Sequence, residues 1–424
     1  MDANGAGTGT LSLAADVTLD DEHDLVSLGS IAVAMGLGWL VYRRHTGIFV
    51  PSILGYALLL VAIFFGNAFA EAFPAIAGLS VQTWVWLLLI YAFVASVLPV
   101  WILLQPRDYL NSHQLITGLV LLFLGLLVLH PTVKAPVVNP APEGAPPMIP
   151  FLFITIACGA ISGFHGLVSS GTTSKQVGCM TDARPIGYGG MLGEGTLGML
   201  AVLAATAGFS TAAEWHVHYA SWGAASGLSA KLDAFVSGGA TFLAALGIPL
   251  ETGKTFIAVM VVAFAATSLD TGARIQRLII GELADSYGLR VLCNRYLAAG
   301  VAVGAALLLA VTQGGGRGGL ILWPLFGTTN QLVAGVTLLV VSVWLRQQGR
   351  PYVYTLLPML FVGVATVASM LNELRGYFAE FGERWLLAIM GSLILALDLW
   401  VLFEGLRVLV SDRARAPGSR EATP

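Results

Sequence analysis

Residues 161–175, ISGFHGLVSSGTTSK, set His165, three glycines and a run of hydroxyl side chains inside a long apolar stretch. Irregular backbone at membrane depth is tolerated only where it lines a cavity or is buried in protein, and transporters present substrates and ions at such breaks. A helix N-terminus with freed N–H groups near Ser169, Ser170, Gly171, Thr172 and Thr173 would suit a carboxylate. The plainer alternative is a cap at the membrane edge, its hydroxyls bonded to local backbone. His165 is a candidate proton relay, because imidazole is readily moved across neutral pH, or else a core histidine. Lys175 is expected to snorkel at the cytoplasmic edge.

Three further segments carry polar groups into apolar surroundings. Glu194 lies in DARPIGYGGMLGEGTLGML (182–200), one turn into a span, amid Gly189, Gly190, Gly193, Gly195 and Gly198 that read as a packing face. A carboxylate in lipid is costly, so Glu194 is expected to face the bundle interior and to pair or bind a proton; the alternative is an interfacial acid near Arg184. In FAATSLDTGARIQRLIIGELAD (264–285) the apolar span is expected to end at Asp270. Ser268, Asp270 and Thr271 would then form an oxygen-rich helix break that holds a cation or gates a site. Asp270 and Arg274, four apart in acid-before-base order, would otherwise make a structural ion pair. LWPLFGTTNQLVAG (322–335) places Thr328, Thr329, Asn330 and Gln331 in an apolar run, where the two carboxamides either bond across helices or contact a substrate.

Enzyme readings fare poorly. GIPLETGKT (247–255) has one residue too many for a phosphate-binding loop and no strand before it. His216 and His218 come without an HExxH pattern, and Cys158, Cys179 and Cys293 form no CxxC framework. His165 and Ser170 lack a nucleophile elbow. The expectation is a protein that is not an enzyme, with no catalytic residues, cofactor or metal site.

The elements that must position these groups follow from composition. The 424 residues are 56% hydrophobic and 11% charged, with a mean hydropathy of +0.80, whereas soluble proteins carry about 25% charged residues. The net charge of −3 and the scattered basic residues argue against nucleic-acid binding. A membrane-crossing helix needs about 20 mostly apolar residues. Eleven runs qualify, near 25–42, 48–66, 82–104, 114–130, 150–170, 190–209, 255–270, 296–312, 320–345, 352–371 and 385–410, and a shorter piece at 234–249 is a candidate re-entrant segment. Arg43, Arg44, Arg107, Lys175, Arg184, Arg274, Arg277, Arg290, Arg295, Arg346 and Arg350 fall in alternate loops, together with the arginines of the C-terminal tail. The positive-inside rule makes that side cytoplasmic. Loops 67–81, 131–149 and 372–384 then lie outside. The resulting fold class is an all-α polytopic membrane protein, a transporter-like bundle of about 11 transmembrane helices in which 161–175 and 267–274 break helices around a central cavity. Its parts are an acidic non-membrane tail at 1–24 without signal-peptide character, a transmembrane transporter domain at 25–410 and a cytoplasmic tail at 411–424.

These segments also carry a family resemblance. YAFVASVLPVWILLQPRDYL (91–110), PFLFITIACGAISGFHGLVSSGTTSKQ (150–176), RPIGYGGMLGEG (184–195) and LWPLFGTTNQLVAG (322–335), with FAATSLDTGARIQRLIIGEL (264–283), resemble the carbon starvation protein A family of bacterial inner-membrane transporters over most of 40–345. The resemblance implies uptake of pyruvate or short peptides during nutrient limitation by a plasma-membrane transporter with inverted repeats and broken helices. It implies proton coupling, with sodium as the alternative ion. The candidate residues on the matching motifs are Ser169, Ser170, Thr172, Thr173 and Asn330 for substrate, and His165, Glu194, Asp270 and Thr271 for proton or ion coupling. Family members begin with a membrane segment holding a His-His pair and a Gly- and Pro-rich break, which is missing here. The chain is therefore expected to be the family without its N-terminal part, a segment that another chain would have to supply in trans. The competing class is a membrane nutrient sensor, or a non-transporting subunit or inactive truncated fragment.

Overall fold

The computed structural model describes residues 33, 35–40, 47, 49–65, 79–139, 143–145, 148–226, 228–311, 318–319 and 321–411. The tail 1–24, most of the first expected span, most of loop 67–81, residues 314–317 of the Gly-rich stretch and the tail beyond 411 lie outside the described residues. The described helices are α1 Phe49–Phe64, α2 Val81–Val97, α3 Leu104–Leu129, α4 Met148–Ala160, α5 Gly163–Gly171, α6 Ala183–Ala207 and α7 Ala212–His218. They continue with α8 Trp222–Ser226, α9 Leu228–Ala244, α10 Leu250–Ser286, α11 Arg295–Val311, α12 Trp323–Gln347, α13 Val353–Ala379 and α14 Phe381–Val410. There is no strand among the described residues.

Local chemistry explains several boundaries. Ser80 caps α2, its hydroxyl accepting from the Thr83 N–H at 3.2 Å. Thr211 does the same for α7 through the Glu214 N–H at 3.1 Å, and the Glu214 carboxylate reaches back to the Ser210 N–H. α3 starts ten residues before the run expected at 114, because Pro106 sits in its first turn, where a missing N–H leaves no helical bond unmade. Arg107 is thus inside a helix and not in a cytoplasmic loop. α10 corrects a second expectation. It runs unbroken through Asp270 for 37 residues, about 55 Å at 1.5 Å per residue, so no helix break exists at 267–274. Likewise α13 continues through Ala379 and α14 begins at Phe381, so Glu373 is a helix residue and not part of an outer loop.

Among the described residues six helices are long and apolar enough to cross a membrane: Leu104–Leu129, Met180–Ala207, Leu250–Ser286, Leu325–Gln347, Val353–Ala379 and Phe381–Val410. Phe49–Phe64, Gln82–Val97 and Arg295–Val311 are shorter and equally apolar in character. Large apolar side chains such as Leu54, Phe64, Val364, Trp400 and Phe403 stand exposed along these helices. Water would make such a surface costly and lipid would not.

The chain forms two compact units, residues 1–145 with 183–308, and residues 146–182 with 309–424. In the first, Leu122 of α3, Leu200 and Ala204 of α6, Phe242 and Leu243 of α9, and Ile257 and Met260 of α10 share one core. Glycine permits the closest approach there, since a Cβ on Gly125 would strike the Phe242 carbonyl. The short piece expected at 234–249 is the helix α9, walled in by α3, α6 and α10. In the second unit α12 packs against α4, α5, α13 and α14. Leu325 and Leu332 of α12 meet Met370 and Leu374 of α13 and Leu387 and Leu395 of α14.

Candidate functional site

The second unit holds the broken helix. α4 ends at Ala160 and α5 starts at Gly163, so the break is the pair Ile161–Ser162 and not the whole of 161–175. Asn330 of α12 holds it open. Its Oδ1 accepts from the Phe164 N–H at 2.9 Å, in the first turn of α5, and its amide exchanges hydrogen bonds with the Ser162 hydroxyl at 3.0–3.1 Å. A side chain 168 positions away thereby does the work of an N-cap, which Ser162 itself does not perform. Gly163 makes the fit possible, because a Cβ there would run into the Asn330 carbonyl and the Val333 side chain; Gly166 lies as close to Thr337. Of the two readings for the carboxamides, bonding across helices holds for Asn330. Both side-chain atoms of Gln331, which is fully buried, lack a hydrogen-bond partner among the described residues.

The position of the break reverses one electrostatic expectation. The N-terminus of α5 lies at Ser162–Phe164, whereas Ser169, Ser170 and Thr172 stand at its C-terminal end. That end carries the negative half of the helix dipole and attracts cations, not carboxylates. The Ser169 and Ser170 hydroxyls donate to the Gly166 and Leu167 carbonyls of their own helix. Thr172 is buried with no hydrogen-bond partner for its hydroxyl among the described residues. Thr173 opens a short 3-10 turn that ends at Lys175. His165 lies on the exposed side of α5.

On the far side of α12 the Thr328 hydroxyl donates to Glu373 Oε1 at 2.7 Å, and the Tyr377 hydroxyl lies 3.4 Å from Oε2. Sequence reasoning missed this cluster because it ended the span at 371. A cleft of about 390 Å³ between α13 and α14 is lined by apolar groups such as Gly363, Val367, Leu371, Leu402 and Leu406. None of the sequence-derived candidates lines it.

In the first unit Asp270 is fully buried and held from two helices. Arg107 of α3 grips it with both terminal nitrogens, Nη2 to Oδ1 at 3.0 Å and Nη1 to Oδ2, and the Tyr91 hydroxyl of α2 donates to Oδ2 at 2.9 Å. Nη1 of Arg107 also bonds the Tyr91 oxygen, and Nη2 reaches Asp108 at 3.1 Å. Arg107, Asn111 and Gln114 lie on one stripe of α3, and Asn111 donates to the Ala263 carbonyl of α10 at 3.4 Å. The expected Asp270–Arg274 pair is not how the helix is tied: Arg274 turns away and donates to the Ala95 and Leu98 carbonyls at the end of α2, both at 2.7 Å. Those carbonyls are orphans of a helix C-terminus, and a guanidinium satisfies both. With the peptide groups of 267–274 occupied in the helix and Asp270 claimed by Arg107, the cation-binding break around Ser268, Asp270 and Thr271 loses its basis. Thr271 follows Asp270 on the same helix, half-buried.

Glu194 also departs from expectation. α6 starts at Ala183, so Glu194 is about three turns in; it is exposed, and α6 becomes buried only from Leu200 onward. About 15 Å of helix separate it from Arg184, which instead stands over the Tyr188 ring at 6.0 Å.

The helical architecture, the six membrane-length spans and the broken helix define an all-α multi-pass membrane protein. The carbon starvation protein CstA family model matches residues 23–215 and 208–369, and the chain belongs to that family. It is 35% identical over 383 residues to the "Peptide transporter CstA" of Mycobacterium tuberculosis (strain ATCC 25618 / H37Rv), covering 76% of this chain and 50% of that relative. The protein of the same name from Helicobacter pylori (strain ATCC 700392 / 26695) is 32% identical over 377 residues, covering 76% of this chain and 54% of the relative. The "Pyruvate/proton symporter BtsT" of Escherichia coli (strain K12) is 43% identical over 184 residues, 42% of this chain and 25% of the relative. The chain spans about half the length of the curated peptide transporters it matches. No solved structure gives a significant match.

Proposed function

We propose that this chain forms the membrane core of a proton-coupled secondary transporter that carries pyruvate or short peptides inward across the bacterial plasma membrane. The observation that carries the reading is the helix break at Ile161–Ser162, kept open by Asn330 inside a chain whose relatives are named as a peptide transporter and a pyruvate/proton symporter. Broken helices of this kind aim a positive N-terminal end at anionic substrate groups and a negative C-terminal end at the coupling cation. The substrate carboxylate accordingly meets the first turn of α5. The hydroxyls of Ser169, Ser170, Thr172 and Thr173 serve the other end, where a proton, a sodium ion or the amino group of a peptide is the suitable charge. His165 and Glu194 are the titratable groups assigned to proton uptake and release. Asp270 and Thr271 move from ion binding to support, because the Asp270 carboxylate is committed to Arg107 and Tyr91. The full topology in this reading has eleven spans with a cytoplasmic C-terminus.

The test is uptake of labelled pyruvate and a labelled tripeptide by vesicles containing the 424-residue chain, with and without an imposed proton gradient, after folding is verified. Accumulation that depends on the gradient is the expected result and names the substrate class. A folded chain that accumulates neither substrate refutes the proposal.

A further inference from the structure

α14 carries a carboxyl group that the transport reading does not use. Ala388, Gly391, Leu395, Asp398, Leu402 and Gly405 recur at alternating spacings of three and four, which places them on one seam of the helix. Asp398 is the only polar side chain among them. A Cβ added at Gly391 would lie 3.2 Å from Leu325 of α12, and one added at Gly405 would collide with Leu339. The offset between the helices is the same for both pairs, so α12 and α14 run parallel and Asp398 falls opposite Leu332. Leu332 is buried, Asp398 is 7% exposed, and Asp398 Oδ2 has no hydrogen-bond partner among the described residues.

Among the described residues no counter-charge faces it. On α12 the titratable group is Arg346, two or more turns beyond Gly335. On α13 Met370 and Leu374 lie against Gly391, and Met359 shares a cluster with Leu402, so the stretch opposite Asp398 is 360–369, which contains no titratable residue. Tyr354 lies before that stretch, and Glu373, Arg375 and Tyr377 lie beyond it. On α14 itself Arg384 pairs with Glu380, Glu404 pairs with Arg407, and Glu383 is in the first turn. Asp270 shows the contrast: that fully buried carboxylate receives donors from Arg107 and Tyr91. An ionised carboxylate without such donors is strongly disfavoured in an apolar interior, and the neutral acid is the form this seam can hold.

We infer that Asp398 is a proton-binding site within the second unit, neutral in the packed seam, and that its proton exchanges with water as the seam opens during transport. Only the last clause rests on the transport reading. The proton resides on Oδ2, leaves to water and returns from water, with no other bond changed.

The experiment is infrared spectroscopy of the full chain reconstituted in lipid, comparing the parent with Asp398→Asn at neutral pH. The parent is expected to show a protonated-carboxyl C=O band that shifts in D2O and is missing from the variant. Superimposable spectra overturn the inference. Asp398→Leu, whose side chain an apolar seam accommodates, is the second variant and loses the same band even if the Asn variant does not fold. In vesicles, pyruvate or tripeptide accumulation by the Asn variant is expected to stop responding to the proton gradient. A lost band with an unchanged response to the gradient overturns the exchange clause. A parent chain that accumulates nothing refutes the transport reading, while the infrared comparison still decides whether Asp398 holds a proton.

Discussion

Removing Asp270 or its partner Arg107 should destabilise the first unit more than removing any other single polar group described there. The carboxylate is fully buried and the Arg107 side chain is 2% exposed, so solvent screening does not weaken the pair. Truncation of one partner strands the other charge in a dry interior, which costs about 3–5 kcal/mol, whereas replacing a buried pair by apolar groups of similar volume is near neutral. Asp270→Leu and Arg107→Met are therefore each expected to cost about 3–5 kcal/mol when made alone. Made together they leave the Tyr91 hydroxyl without its acceptor and take Arg107 from Asp108, which is 54% exposed and can turn to solvent; adding Tyr91→Phe removes the first of these costs. Tyr91→Phe by itself deletes one hydrogen bond to a charged acceptor, worth about 1.5–3 kcal/mol. The assay is reversible unfolding of the full chain in mixed micelles, followed by circular dichroism, for the three single variants, the double and the triple. The expected order is a triple variant close to the parent, a double variant below it, and both charge-removing singles lowest. Single variants that cost under about 1 kcal/mol, or a double variant whose loss equals the sum of the singles, would show that the network is not the tie between α2, α3 and α10.

Three further outcomes are expected. Asn330→Ala should cost about 0.5–2 kcal/mol as a lost helix cap, and cysteine accessibility at residues 163–166 should rise as the start of α5 frays. Gly163→Ala should destabilise by about 1–3 kcal/mol through its clash with the Asn330 carbonyl, while Gly363→Ala, where an added Cβ meets nothing within 4 Å, should be neutral or slightly stabilising in the same melting assay. Glu194→Gln should abolish gradient-driven accumulation in vesicles, and an unchanged pH dependence of uptake removes Glu194 from proton coupling.

The helices and their membrane character were legible in one dimension, because apolar runs of about 20 residues and 11% charge admit few alternatives. An interruption within 161–175 was legible from its glycines and hydroxyl residues, but its confinement to Ile161–Ser162, with the glycines inside α5, was not. Errors came where local chemistry mimicked a boundary. Gln105-Pro106-Arg107-Asp108 reads as a loop, yet a proline in the first turn is compatible with a helix, and the arginine that looked cytoplasmic is a buried partner. Asp270 looked like the end of a span because a charge interrupts the apolar pattern, and α10 passes through it because Arg107 neutralises it. Pairing is what the sequence withholds. Arg274 at the favourable spacing was the natural partner for Asp270, but the bond went to a residue 163 positions away, and Asn330 caps a helix 168 positions distant. Residue type and periodicity determine which groups must be satisfied in a membrane; which group satisfies them depends on the helices that packing brings alongside, and that is decided only in three dimensions.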